Sequence, residues 1–229
     1  MIARPSGTGR SAERKRCSKL ETASLIVAPA LMSAGDLMHP PESWDAPTQV
    51  AIITGAATRW YWAHLLLFTG ILLFVPGILI LSRIVAVRRP AVGYASRVLV
   101  LASVGALAAV FACEMVLGVF AASADQGAAV LLIERFNSRV LMPLLPGLLA
   151  FFVGTGLFVA PLASTGGPLR WPARCFGLGA LLILGEIVTA QVILSQIGNV
   201  LILLAGVGFA RVLSRDDLTP TASVAAELR

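Results

Sequence analysis

The sequence predicts an all-α fold: a polytopic membrane protein with six transmembrane helices in one bundle and both termini cytoplasmic. Three observations lead to this prediction. The 229-residue chain is 57% hydrophobic and only 13% charged, whereas a soluble domain carries about 25% charged residues. Several apolar runs reach the length of about 20 residues that is needed to cross a bilayer. The basic residues gather at one end of those runs, as the positive-inside rule describes.

Residues 61–82 form the clearest apolar run, and they set the direction of the other helices. These 22 residues make about 33 Å of helix, enough to cross a hydrocarbon core of about 30 Å. The aromatic residues Trp60, Tyr61 and Trp62 open the run, and Arg83 follows it. Because Trp and Tyr favour the interface and arginine the cytoplasmic side, this helix is predicted to enter from outside.

The other spans are predicted at residues 22–38, 98–122, 140–163, 175–194 and 199–213, within a transmembrane domain of residues 22–213. Pro40 and Pro41 end the first span, since proline disfavours helix in the residue before it. Residues 47–59 are predicted to form an interfacial helix. Residues 175–211 are too long for one crossing, so residues 195–199, with Gly198 and Asn199, are interpreted as a turn between two helices.

The two tails are predicted to be cytoplasmic: residues 1–21 are basic and expected to lack regular structure, and residues 214–229 are polar. The first apolar run is short and contains Pro29 and Asp36, which leaves two interpretations open. It is either a retained first helix or part of a cleaved signal peptide, residues 1–35, with a basic start and small residues at its end. Both interpretations place residue 39 outside.

The distribution of basic residues supports this topology. The segments predicted inside hold 15 of the 18 Lys and Arg residues, and only Arg59, Arg135 and Arg139 fall outside. The net charge of +6 is therefore explained by topology, and the expected partner is the lipid bilayer rather than a nucleic acid. The three cysteines show no metal-binding or disulfide spacing; they are Cys17, Cys113 and Cys175.

Polar and ionisable residues at membrane depth are few, and all of them fall in the outer half of the predicted bundle. They are Asp36, His39, His64, Glu114, Glu186 and Gln191. An ionised side chain at a helix centre costs about 2.5–3.5 kcal/mol on insertion scales, and a histidine within about 4–6 Å favours the charged carboxylate. We therefore predict an outward-facing polar pocket in which His64 approaches Glu114, with Glu186 at its floor.

Three functions compete at this stage. The first is small-ligand or proton-linked binding or transport through that pocket. The second is an accessory or structural subunit that binds another membrane protein or a second copy, with Glu114, Glu186 and Gln191 serving only as hydrogen bonds between helices. The third is metal or haem binding by His39 and His64, with Glu114 or Glu186 as a further ligand. No cofactor is predicted, because no HxxxH or HExxH spacing occurs, and no nucleophile lies beside a base, so an enzyme is not expected.

Several short motifs resemble a group of small bacterial integral membrane proteins of unknown function. These motifs are Met38-His39-Pro40-Pro41, the run from Trp60 to Leu66 with His64, and the single residues Pro76 and Glu114. The resemblance covers residues 22–212. It implies a multi-pass protein of the bacterial cytoplasmic membrane and brings no activity with it.

Overall fold

The computed structural model describes residues 8–123, 125–164, 167–189 and 191–214. All regular structure within these ranges is helical, which confirms the all-α prediction. The helices are α1 (Thr8–Met38), α2 (Ala46–Gly55), α3 (Ala57–Leu73), α4 (Val75–Arg88), α5 (Pro90–Ser123), α6 (Gln126–Phe136), α7 (Met142–Ser164), α8 (Arg170–Thr189) and α9 (Val192–Ser214). A π-helical turn, Asn137–Leu141, joins α6 to α7.

Within the described part of the chain, six helical stretches are long and apolar enough to cross a membrane, as predicted. They are Lys19–Met38, Ala57–Arg88, Pro90–Ser123, Gln126–Ser164, Arg170–Thr189 and Val192–Ser214. Each corresponds to one predicted span. The short helix α2 lies between the first two, close to the predicted interfacial helix, and packs on α6.

The six stretches form a closed ring in chain order. α1 packs on α3, α3 on α5, α5 on α7, α7 on α8, α8 on α9, and α9 returns to α1. Neighbouring helices run antiparallel: Gly35 of α1 lies against Ala63 of α3, whereas Met32, earlier in α1, lies against Gly70, later in α3. The chain therefore turns alternately at two ends of the ring. We call them the arginine end, which carries Arg88 and the start of α8, and the histidine end, which carries α2, α6 and His39.

The arginine half of the ring is filled by a hydrophobic core. Fully buried aromatic side chains meet there, and Phe74 stacks on Phe176 with ring centroids 5.8 Å apart. Gly206 of α9 lies directly against the backbone carbonyl of Leu25 in α1, where any side chain would collide. Close backbone approach of this kind is typical of glycine at membrane helix contacts.

The predicted pair of helices in residues 175–213 is present, but its turn was misplaced. The chain reverses between Thr189 and Val192, so residues 195–199 lie inside α9. Gly198 does not turn the chain: a Cβ there would lie 2.7 Å from the carbonyl oxygen of Gly179 on α8. Asn199 is buried. Packing between α8 and α9 thus overrides the local turn preference of these two residues.

Two further boundaries differ from the prediction. The span predicted at 61–82 is broken at Phe74 into α3 and α4, because Pro76 lacks the N–H that would bond to the carbonyl of Leu72.

α1 begins at Thr8, within the tail that was expected to lack regular structure. Ala12, Glu13 and Lys15 in that tail are good helix formers and extend a helix that the apolar run nucleates. Residues 1–7 and 215–229 lie outside the described residues.

Candidate functional site

A cavity of about 260 Å³ occupies the histidine half of the ring. All six spans and the loop after α1 contribute to its lining. Most of the lining is apolar, and the polar groups gather toward the histidine end. The polar lining residues are Asp36, His39, Glu42, His64, Glu114, Glu186, Ser195 and Asn199. Five of the six predicted site residues thus face one space.

His64 and Glu114 are in direct contact in this cavity, as predicted. Nε2 of His64 lies 2.9 Å from Oε2 of Glu114. The other ring nitrogen, Nδ1, lies 2.8 Å from the carbonyl oxygen of Trp60. Since a carbonyl only accepts hydrogen bonds, Nδ1 carries a hydrogen. The contact with Glu114 then holds one further proton, which either belongs to His64 or to the carboxyl group.

His39 extends this pair from the loop after α1. Its Nδ1 lies 2.7 Å from the carbonyl oxygen of Pro40 and so carries a hydrogen, and its Nε2 lies 3.2 Å from Nε2 of His64. Burial and the neighbouring His64 lower the pKa of His39 to about 4, so His39 is neutral at pH 7 and its Nε2 accepts. When His64 carries a hydrogen on each ring nitrogen and Glu114 is a carboxylate, the hydrogen on Nε2 is shared between Glu114 and Nε2 of His39.

Trp60 and Arg59 position the two histidines. The Trp60 ring packs on both, with centroids 4.9 Å from His39 and 4.4 Å from His64, and its indole N–H donates to the carbonyl of Glu114 at 2.9 Å. Arg59 donates to the carbonyls of Met38 and His39. The two bonds from Arg59 tie the end of α1 and the following loop to α3, which fixes His39 beside His64.

The aromatic residues that open α3 divide between two environments. Trp60 is buried, with 2% of its surface exposed, whereas Tyr61 and Trp62 are 39% and 50% exposed. All three were expected in an interfacial belt. The correction for Trp60 follows from helical geometry, because three consecutive residues span about 200° of a helix and cannot all face outward.

Glu42 lies at the mouth of the cavity and was not among the site residues predicted from the sequence. Its Oε1 lies 3.5 Å from Nε2 of His39. Burial, then the charges of Glu114 and Glu186, raise the pKa of Glu42. Because 43% of its side-chain surface stays accessible, water at the mouth makes this rise smaller than for an enclosed carboxyl. The available signal was its position three residues after His39.

A second polar cluster lies where α1 meets α9. The hydroxyl of Ser195 lies 3.2 Å from Oδ1 of Asp36 and 2.9 Å from the carbonyl oxygen of Val192. The side chain of Asn199 also lies beside Asp36. Oδ2 of Asp36 and Oδ1 of Asn199 are buried, and neither has a hydrogen-bond partner among the described residues. Glu186 of α8 lines the same cavity and interacts electrostatically with Asp36.

Gln191 was predicted to belong to the pocket, and this was wrong. It is exposed in the connection between α8 and α9 and is not among the lining residues. The turn comes earlier than expected, so Gln191 lies outside both helices. Asn199 lines the cavity instead, and its signal in the sequence was the helical spacing of Ser195, Asn199 and Ile202 on one face.

The two histidines do not fit a haem bound between them. Ligand nitrogens lie about 2 Å from a metal, so two on opposite sides of an iron are about 4 Å apart with the porphyrin between them. The rings of His39 and His64 instead touch edge to face, with centroids 4.7 Å apart. Among the described residues, no group of three or more His, Cys, Asp or Glu is arranged to hold a metal ion.

Comparison of the chain with known proteins finds no matching family model, no matching curated protein and no matching solved structure.

Proposed function

We propose that this chain is a multi-pass membrane protein that binds a small amphipathic ligand in its central cavity, and that binding is linked to proton exchange at His64 and Glu114. The observation that supports this most is the contact of 2.9 Å between these two residues inside a cavity of about 260 Å³. A helix-to-helix contact with a purely structural role has no need of a cavity beside it.

The cavity fits a ligand with both apolar and polar parts. Ligand sites are typically apolar clefts of about 300–1,000 Å³ with a few polar groups that fix orientation. This cavity is just below that range, so its ligand is small. Leu107, Phe151 and Phe152 are among the apolar lining residues, and the histidines and carboxyls lie toward one end.

His64 and Glu114 suit a proton-exchanging role because their contact holds one mobile proton. A ligand that places a charge beside Glu114 changes which of the two residues keeps that proton. Neutral His39 accepts from His64 at 3.2 Å, and Glu42 lies 3.5 Å from His39 at the mouth. This sequence of groups provides a path for the proton between the cavity and its opening.

The histidine end is proposed to face the outside of a bacterial cytoplasmic membrane, with both termini in the cytoplasm. The support is the distribution of basic residues, since Arg83, Arg88 and Arg174 lie toward the opposite end. α1 is proposed to be a retained helix, because Met32, which cleavage after residue 35 would remove, lines the cavity, and because α1 packs on both α3 and α9.

Calorimetry of the purified full chain in detergent at pH 7 tests the proton link. Three probes share one apolar body and differ in their head group: 4-phenylbutylamine, 4-phenylbutan-1-ol and 4-phenylbutyrate. Titration in two buffers of different ionisation enthalpy gives the number of protons exchanged on binding. We expect at least one probe to bind the wild-type chain with proton exchange, and Glu114→Gln to lose that exchange because glutamine cannot carry the proton.

Glu134→Gln is the matched control, because Glu134 is an exposed carboxylate of α6 away from the large cavity. It should exchange protons as the wild-type chain does. Binding of none of the three probes, or unchanged proton exchange in Glu114→Gln, would contradict the proposal. Loss of folded protein in Glu114→Gln alone would favour the structural role instead.

A further inference from the structure

We propose that the ligand is a protonated amine with a small apolar body, whose ammonium group binds between Asp36, Asn199 and Glu186. This inference rests on the proposed function and names the ligand class for the same cavity. It comes from the cluster where α1 meets α9, which is separate from the histidine pair.

Hydrogen-bond acceptors outnumber donors in this cluster. The Ser195 hydroxyl has one hydrogen and two acceptors within reach, Oδ1 of Asp36 at 3.2 Å and the carbonyl of Val192 at 2.9 Å. Oδ2 of Asp36 and Oδ1 of Asn199 have no partner among the described residues. Asn199 is only 5% exposed, so bulk water does not satisfy its oxygen.

Unpaired buried acceptors of this kind call for a donor from outside the chain. Leaving a buried polar group without a partner costs roughly 1–3 kcal/mol. An ammonium group carries three hydrogens and no acceptor. Its N–H groups can therefore donate to the unpaired oxygens of Asp36 and Asn199, and they add no further unpaired acceptor to the cluster.

The charge around the cavity also favours a cation. Four carboxyl groups line it, and no Lys or Arg is among the described lining residues. His39 is neutral at pH 7, and His64 is already in contact with Glu114 at 2.9 Å. Asp36 and Glu186 are left without a positive partner on the side of the cavity formed by α1, α8 and α9.

The remaining lining distinguishes an organic amine from a bare metal cation. Phe74, Phe111, Phe151 and Phe152 line the same space, and a sodium ion would leave this apolar part unfilled. An aryl or alkyl body fills it and removes apolar surface from water. Aromatic faces also attract a nearby cation. Each part of an amphipathic amine thus has a matching part of the cavity.

Three probes separate charge from hydrogen bonding: 4-phenylbutylamine, 4-phenylbutan-1-ol, and the N,N,N-trimethyl derivative of the amine, which keeps the charge but has no N–H. We expect calorimetry on the full chain in detergent to show the amine binding about tenfold or more tightly than the other two. Asp36→Asn should weaken amine binding by a similar factor and leave binding of the alcohol unchanged. Glu134→Gln, which alters an exposed carboxylate, should change neither the affinity for the amine nor the affinity for the alcohol.

Ser195→Ala is a second variant that keeps the test valid if Asp36→Asn does not fold. It removes one hydroxyl from the cluster and should weaken amine binding by a few fold only. Equal affinities for amine and alcohol, or unchanged amine binding in Asp36→Asn, would overturn the inference. If NaCl stabilises the wild-type chain but not Asp36→Asn, and the amine does not bind, the cluster is a sodium site instead.

The two proposals fail in different ways. If the amine binds more weakly to Asp36→Asn than to the wild-type chain, but the wild-type chain exchanges no proton on binding, the proton link is wrong and the ligand class stands. If the alcohol or phenylbutyrate binds with proton exchange that Glu114→Gln removes, while the amine does not bind, the ligand class is wrong and the proposed function stands.

Discussion

The two halves of the ring are built differently. In the arginine half, buried apolar side chains such as Phe158 and Phe209 pack together between the helices. In the histidine half the same helices enclose a cavity of about 260 Å³. The ionisable lining residues of that cavity all lie in this second half, and two of its buried oxygens have no partner among the described residues.

This difference separates stability from function within one bundle. The filled half brings the helices into contact through close backbone approach and aromatic packing, which a single larger side chain would disturb. The hollow half keeps polar groups in an apolar setting, an arrangement that costs free energy and that we propose is used by a ligand and a proton. Substitutions in the two halves should therefore have different effects.

Gly206→Leu should have the largest effect, because it adds a side chain where α9 meets the backbone of α1 at Leu25. We expect loss of folded, monodisperse protein in detergent, measured by size-exclusion chromatography and thermal unfolding. Gly105→Leu is the matched control, since nothing lies within 4 Å of a Cβ at Gly105. Equal yields of both variants would show that contact between α1 and α9 does not support the fold.

The sequence was enough to predict six long apolar helical stretches and the approach of His64 to Glu114. Run lengths predicted six spans, and counting residues along them placed His64 and Glu114 at one level. The direction in which a side chain points depends on packing that the sequence does not display. Trp60 was therefore placed at the interface rather than beside the histidines.

The remaining errors have the same physical origin. Asn199 was interpreted as a turn residue because its local preference is for turns, whereas its place in α9 is set by Gly198 packing on Gly179. Gln191 was assigned to the pocket from its depth alone. Glu42 was missed because a loop residue has no helical spacing from which its direction could be predicted.

His39→Asn should reduce the pH dependence of stability. In the unfolded chain His39 has its ordinary pKa of 6.5, whereas in the folded protein it is lowered to about 4. As the pH falls through this window, the unfolded state binds a proton that the folded state does not, so stability falls. The loss of stability over the whole window is at most about 3.4 kcal/mol, at 1.36 kcal/mol per pKa unit.

The measurement is the melting temperature in detergent at pH 7 and pH 5. The melting temperature of the wild-type chain should fall more on acidification than that of His39→Asn. Asparagine does not titrate, and its amide can still donate to the carbonyl of Pro40. Titrating groups that do not contact His39 are present in both proteins and cancel in the comparison. Identical losses in the two proteins would contradict the assignment of a buried neutral His39.

The most direct measurement for the hollow half is labelling of a single cysteine in intact cells. In a chain whose native cysteines are replaced, Leu145→Cys places a thiol in the cavity wall, and Leu149→Cys places one on the exposed face of the same helix. Thiols react as thiolates, which form in water and not in lipid.

We predict that an impermeant reagent labels Leu145→Cys from outside, that 4-phenylbutylamine slows this labelling, and that Leu149→Cys stays unlabelled. Labelling of Leu145→Cys only after the cells are opened, or equal labelling of both positions, would contradict an outward-facing ligand cavity.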